Sequence, residues 1–170
     1  MIYDLLLTGP LLPGVFASTV AALTGRPVTD VDVAGPDDHA TRRWDAPVLC
    51  THQHQYGDVT WYLEIQTPDP DLPEAAFAAG LAELLGHPVL FSTFDVRPSA
   101  YWLAAPNGLT TRARLEDLDE WEDDGEDLPG GLITAVRDFV PQLPHLRIDP
   151  IAEGRHADPF TEAADRPRGQ

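Results

Sequence analysis

The chain is expected to fold as an α+β domain, a mainly antiparallel sheet with helices packed on one face, built from two pseudo-repeated β-α-β units. Three observations lead there. The stretch Leu12–Val28, LPGVFASTVAALTGRPV, returns as Leu72–Val89, LPEAAFAAGLAELLGHPV. From Phe16 and Phe77 onward the copies align without a gap, matching Phe16/Phe77, Ala17/Ala78, Ala21/Ala82, Leu23/Leu84, Gly25/Gly86, Pro27/Pro88 and Val28/Val89. Each copy follows a stretch of strand length, with Tyr3 and Thr8 spaced like Tyr62 and Thr67. Finally, two turn signals, Gln55-Tyr56-Gly57-Asp58 and Pro106-Asn107-Gly108, separate alternating segments in the manner of hairpins.

Taken in order, Ile2–Thr8 is apolar enough for a central strand, and Gly9-Pro10 ends it. A helix is expected from Pro13 to Thr24, with Phe16, Val20 and Leu23 on one face at three- and four-residue spacing. Gly25 suits the left-handed position after its last turn, and Pro27 prevents continuation. Val28–Val33 alternates like a half-exposed strand. Ala34–Asp45 is polar and reads as a loop. Val48–His54 and Val59–Gln66 form the first hairpin, with Val59, Trp61, Leu63 and Ile65 facing inward.

The second helix is expected to take Asp71 as N-cap, with Pro73 in its first turn and Glu74 completing a capping box. Phe77, Leu81, Leu84 and Leu85 make its buried stripe, and Gly86 closes it. Val89–Phe94 returns to strand. Tyr101–Ala105 and Leu109–Leu115 form the second hairpin, the latter an edge or one-sided strand. Leu132, Val136, Phe139 and Val140 have the spacing of a short helix over Gly131–Val140. These segments group within one globular domain: residues 1–58 as the first repeat plus a hairpin strand, 59–115 as the second repeat plus hairpin, 116–144 as an acidic segment with the short helix, and 145–170 as a partly disordered tail.

With 170 residues the chain is long enough for a real core. Its 11 basic and 28 acidic residues leave a net charge of -17. Such a surface repels nucleic acid and anionic membranes and attracts basic partners. Every basic residue is Arg, which excludes lysine Schiff bases and a P-loop lysine. The single Cys50 forms no internal disulfide, so nothing requires an oxidising compartment. Leu5–Thr24 is uncharged and long enough to imitate a membrane span. However, Asp4 stands where a signal peptide carries Lys or Arg, and Gly9, Pro10, Pro13 and Gly14 interrupt the run. The chain is therefore expected in the cytoplasm.

Two groups of residues are candidates for chemistry. No cofactor is expected, with one exception to weigh: Cys50, His52 and His54 alternate along one strand face, and their sulfur and imidazole ligands would suit zinc. The ordinary alternative is a small buried thiol beside two histidines near a hairpin mouth. The acidic run Glu116, Asp117, Asp119, Glu120, Trp121, Glu122, Asp123, Asp124 sets carboxylates around one aromatic. That pattern suits a basic partner protein, with carboxylates standing in for phosphates and Trp121 as anchor; the alternative is a solvated linker pinned by Trp121. Arg112 and Arg114 are expected to pair with neighbouring acids. Arg42-Arg43 is too short for a nucleic-acid patch. Trp44, Tyr56, Tyr101 and Trp102 either line a pocket or complete the core.

Three functions follow from these features. The first is a non-enzymatic acidic binding protein, of the immunity or antitoxin type, that inhibits a basic bacterial nuclease-like toxin. The second is a small metal-binding protein or metalloenzyme using Cys50, His52 and His54. The third is a self-associating structural module.

Overall fold

The computed structural model describes residues 1–68, 72–92, 100–117 and 129–149. The elements run β1 (Ile2–Leu7), α1 (Pro13–Thr24), a single 3-10 turn (Val28–Asp30), β2 (Val31–Ala34), β3 (Val48–His54), β4 (Tyr56–Gly57), β5 (Trp61–Gln66), α2 (Glu74–Leu85), β6 (Val89–Ser92), β7 (Ala100–Ala104), β8 (Thr110–Asp117) and β9 (Gly130–Val136). The fold is α+β, with two helices and one nine-stranded sheet in the order β2-β3-β5-β1-β6-β7-β8-β9-β4. β2 pairs with β3, and β4 with β9, in parallel; the other neighbours are antiparallel. The sheet is therefore mixed.

β1 lies in the middle, as its apolar character predicts. It pairs with β5 from Ile2↔Gln66 to Leu7↔Trp61 and with β6 from Leu5↔Phe91 to Leu7↔Val89. Its side chains divide by the two-residue period. Tyr3, Leu5 and Leu7 are buried beneath the helices, beside Cys50 and Val48 of β3 and Leu63 and Ile65 of β5. Phe16 and Val20 of α1 and Phe77 and Leu81 of α2 close this core from above. Both helices end on a left-handed glycine, Gly25 at φ 65° and Gly86 at φ 74°, where a side chain would be strained. The helices approach closely at Gly80, where an added Cβ would lie 2.5 Å from Leu23 Cδ2.

A second core occupies the opposite face. Leu90, Leu103, Ala113, Leu115, Ile133 and Val136 gather there with Val59, Val140 and Leu143. The sheet curls around this core until β9 reaches the connection between β3 and β5. Tyr56 N–H donates to Pro129 O, and Asp58 N–H to Gly131 O. Asp58 Oδ2 also accepts from Ile133 N–H at 2.9 Å, and its other oxygen lies 3.5 Å from His145 Nε2. The chain after β9 continues the fold, since Asp149 N–H donates to Val136 O and Ile148 bridges Val136.

Several expectations are corrected. Gly131–Val140 does not form a helix; Gly130–Val136 is a strand. Its residues fit both periods, but Gly131, Ile133 and Ala135 are buried while Leu132 is exposed, the alternation of a strand. The edge of β8 decides between the periods, because a helix there would leave the β8 backbone unpaired. β8 is consequently an interior strand rather than an edge, though its burial is one-sided. Val28–Asp30 is a 3-10 turn, so the expected strand begins only at Val31. In α2, Ala78 and Ala82 are buried with Phe77 and Leu81, whereas Leu84 is 53% exposed. The helix begins at Glu74 with Pro73 at its N-cap and no side-chain cap bond; Asp71 lies outside the described residues. So does Phe94 of the expected strand end.

Candidate functional site

Cys50, His52 and His54 do share a face of β3, opposite Ile65, Leu63 and Trp61 of β5. That face runs from core to solvent. Cys50 is buried, His52 half-buried and His54 exposed. Burial pushes the Cys50 thiol up to about 12 against the opposing attraction of Arg42, with Asp32 adding slightly to the rise. Burial likewise lowers the pKa of His52, with Asp38 pulling the other way. The imidazoles pack edge-on to Trp61, His52 at 5.4 Å and His54 at 5.2 Å between ring centroids. Among the described residues no group of three or more His, Cys, Asp or Glu side chains is placed to hold a metal ion.

The buried thiol has a measurable consequence. An unfolded thiol ionises near 9.0, whereas the folded one keeps its proton to about 12. In that window the folded state binds more protons, so stability falls as pH rises, by about 1.4 kcal/mol per unit. Urea unfolding of the native chain and of Cys50→Ala across this window should show the extra slope only in the native chain. Parallel profiles would mean that the thiol ionises freely while folded.

A concavity among the described residues lies on the other face of β3 and β5. It has a volume of about 340 Å³, floored by Leu49, Thr51, Glu64 and Gln66 and roofed by Gly35, Pro36, His39, Arg42 and Trp44. The roof is the loop between β2 and β3, anchored on one buried carboxylate. Asp32 of β2 is 3.3 Å from Arg42 Nε and 3.6 Å from Arg43 Nε, and it accepts from the Arg43 backbone N–H. Arg42 Nη1 donates to Thr51 Oγ1 at 2.8 Å, and its guanidinium lies 4.9 Å from the Trp44 ring centre. Arg43 donates to the carbonyls of Thr29 and Val31. It thereby covers part of the backbone of β2, the terminal strand of the sheet. His39 stacks on Trp44 at 5.3 Å and accepts at its carbonyl from the indole N–H. Gly35 N–H donates to Asp38 Oδ2, tightening the start of the loop.

Sequence reasoning placed Trp44 among pocket or core residues, and it lines the cavity while remaining 55% exposed. It weighed Arg42 only as part of a pair too short for a nucleic-acid patch, and it missed Asp32 and Glu64. The signal for Asp32 was a lone acid between Val31 and Val33 in a strand, a place where charge requires a partner. Of the other aromatics, Tyr56 is exposed and packs edge-on to His54, whereas Tyr101 adjoins the second core. Arg112 lies over the Trp102 ring at 4.3 Å, so an aromatic face is among its partners.

Of the acidic run, Glu116 and Asp117 form the exposed end of β8, opposite Leu132 and Gly131 of β9. Asp119, Glu120, Trp121, Glu122, Asp123 and Asp124 lie outside the described residues. No helix among the described residues is long and apolar enough to cross a membrane. No family model, curated protein or solved structure matches the chain.

Proposed function

We propose that the chain is a non-enzymatic acidic binding protein that neutralises a basic protein partner, as an immunity or antitoxin-type inhibitor of a nuclease-like toxin in the bacterial cytoplasm. The observation that carries this reading is the exposed Glu116-Asp117 terminus of β8, which in sequence leads directly into Asp119–Asp124. The net charge of -17 adds long-range attraction for a basic partner. Carboxylates can stand in for the phosphates of a nucleic acid, so a nuclease's substrate cleft is a natural counterpart. Trp121, amid the carboxylates, supplies the apolar contact that charge alone lacks. The matched burial of Phe16 with Phe77 and of Val20 with Leu81 supports descent of the helical half from two copies of a split β-α-β unit.

The chain immobilised on a column and exposed to native-host lysate should retain a basic protein that leaves at raised salt. Trp121→Ala should weaken that complex at least about tenfold while leaving the melting temperature nearly unchanged. An equal affinity of the variant removes the role given to Trp121, and an empty column removes the inhibitor reading.

A further inference from the structure

We infer that the cavity between the β2–β3 loop and strands β3 and β5 binds a small zwitterion of the α-amino-acid class, with its carboxylate on Arg42 and its ammonium on Glu64. The first argument is charge placement. Arg42 in the roof and Glu64 in the floor are near neighbours, because Arg42 donates to Thr51, whose cross-strand partner is Glu64. Yet among the described residues the ion-pair partner of Arg42 is Asp32, not Glu64. Opposite charges thus bracket the cavity without neutralising each other across it.

The second argument is the charge of the lining. The loop that carries Arg42 and Arg43 also holds Asp37, Asp38 and Asp45, so the roof as a whole is not basic. Among the residues that line the cavity, however, Arg42 is the one guanidinium and Glu64 the one carboxylate. Arg42 is therefore the group that a carboxylate entering the cavity meets. Glu64 is itself oriented, since its Oε1 accepts from Gln66 Nε2 at 2.6 Å.

The third argument is preorganisation. The Arg42 side chain is only 8% exposed, held by Asp32, Thr51 and the Trp44 ring, so little rotamer entropy remains to be lost on binding. The Asp32 Oδ2 and Arg42 Nε atoms are buried without a well-directed hydrogen bond, so their pairing is electrostatic. Leu49 and the edge of Trp44 supply apolar wall for a side chain. The volume, about 340 Å³, lies at the small end of ligand pockets. A phosphate or dicarboxylate would set extra negative charge against Glu64. A simple cation would meet Arg42, and the Trp44 ring, a face that attracts cations, already carries Arg42 and His39.

The test is calorimetric titration of the full chain with each common α-amino acid up to about 10 mM, a range that covers weak sites. N-acetylated and carboxyl-amidated forms serve as single-charge controls. At least one free amino acid should bind saturably, and removal of either charge should weaken it at least about tenfold. Glu64→Gln, an isosteric change at a half-buried position in the cavity floor, should have the same effect, as should Arg42→Lys, which keeps a cation beside Asp32 but loses the planar fork. Thermal melts of both variants establish that they fold. Absence of saturation with every amino acid overturns the proposal. So does equal binding of the single-charge forms, or unchanged binding by folded Glu64→Gln. The site lies on elements other than Glu116 and Asp117, so its failure leaves the inhibitor reading standing.

Discussion

Asp32→Ala is expected to destabilise the chain by about 3–5 kcal/mol, the cost of leaving a buried charge without its partner. Asp32 is 7% exposed and the Arg42 side chain 8%, and Asp32 is the carboxylate that faces Arg42 at 3.3 Å. Without it, the Arg42 guanidinium stays buried beside β3 without the carboxylate it pairs with. Arg43 loses the same anchor, and its contacts with the Thr29 and Val31 carbonyls loosen with it. Urea unfolding measures the loss as a lower midpoint at an unchanged slope. The companion double variant Asp32→Leu/Arg42→Met should lose less than Asp32→Ala, because apolar replacement of both partners removes the uncompensated charge. A single variant within about 0.5 kcal/mol of the native chain would show that Arg42 reaches water by another route.

Phe77→Ala is expected to cost about 3–5 kcal/mol, combining lost apolar burial with the cavity left behind. Phe77 is 1% exposed and stacks on Tyr3 with ring centroids 4.3 Å apart and planes 12° from parallel. Tyr3 in turn donates its hydroxyl to Leu72 O at 2.7 Å, tying the approach to α2 to the central strand. Truncation of Phe77 therefore removes the packing between β1 and α2 together with the surface that orients this hydrogen bond. Leu84→Ala is the control. Leu84 belongs to the expected helical stripe, but it is 53% exposed, so its loss should stay within about 0.5 kcal/mol. Comparable losses at the two positions would mean that α2 is rotated from the placement described above.

That control separates periodicity from packing. Helical spacing in α2 admits either Leu84 or the alanines Ala78 and Ala82 beside Phe77 and Leu81. Packing into the first core selects the alanines, whereas Leu84 lies one turn after Gly80, outside the buried arc. The same limit appears at Gly131–Val140. Local spacing satisfied a helix, and the hydrogen-bonding edge of β8 made it a strand.

What the sequence determined by itself is local. Pro13 at the start of α1, Gly25 and Gly86 at the helix ends, and Gly108 at φ 83° in the β7–β8 turn each follow from one residue's backbone freedom. The alternation on β3 placed Cys50, His52 and His54 on one face for the same reason. The tertiary structure alone decided what lies across a gap in the chain. It placed Arg42 and Arg43 on Asp32, and Thr51 beside Glu64 beneath the same loop. It also ordered the sheet so that β9 returns to Tyr56 and Asp58. Those contacts depend on which segments share a surface, and burial and hydrogen bonding settle that choice only when the whole chain competes for it.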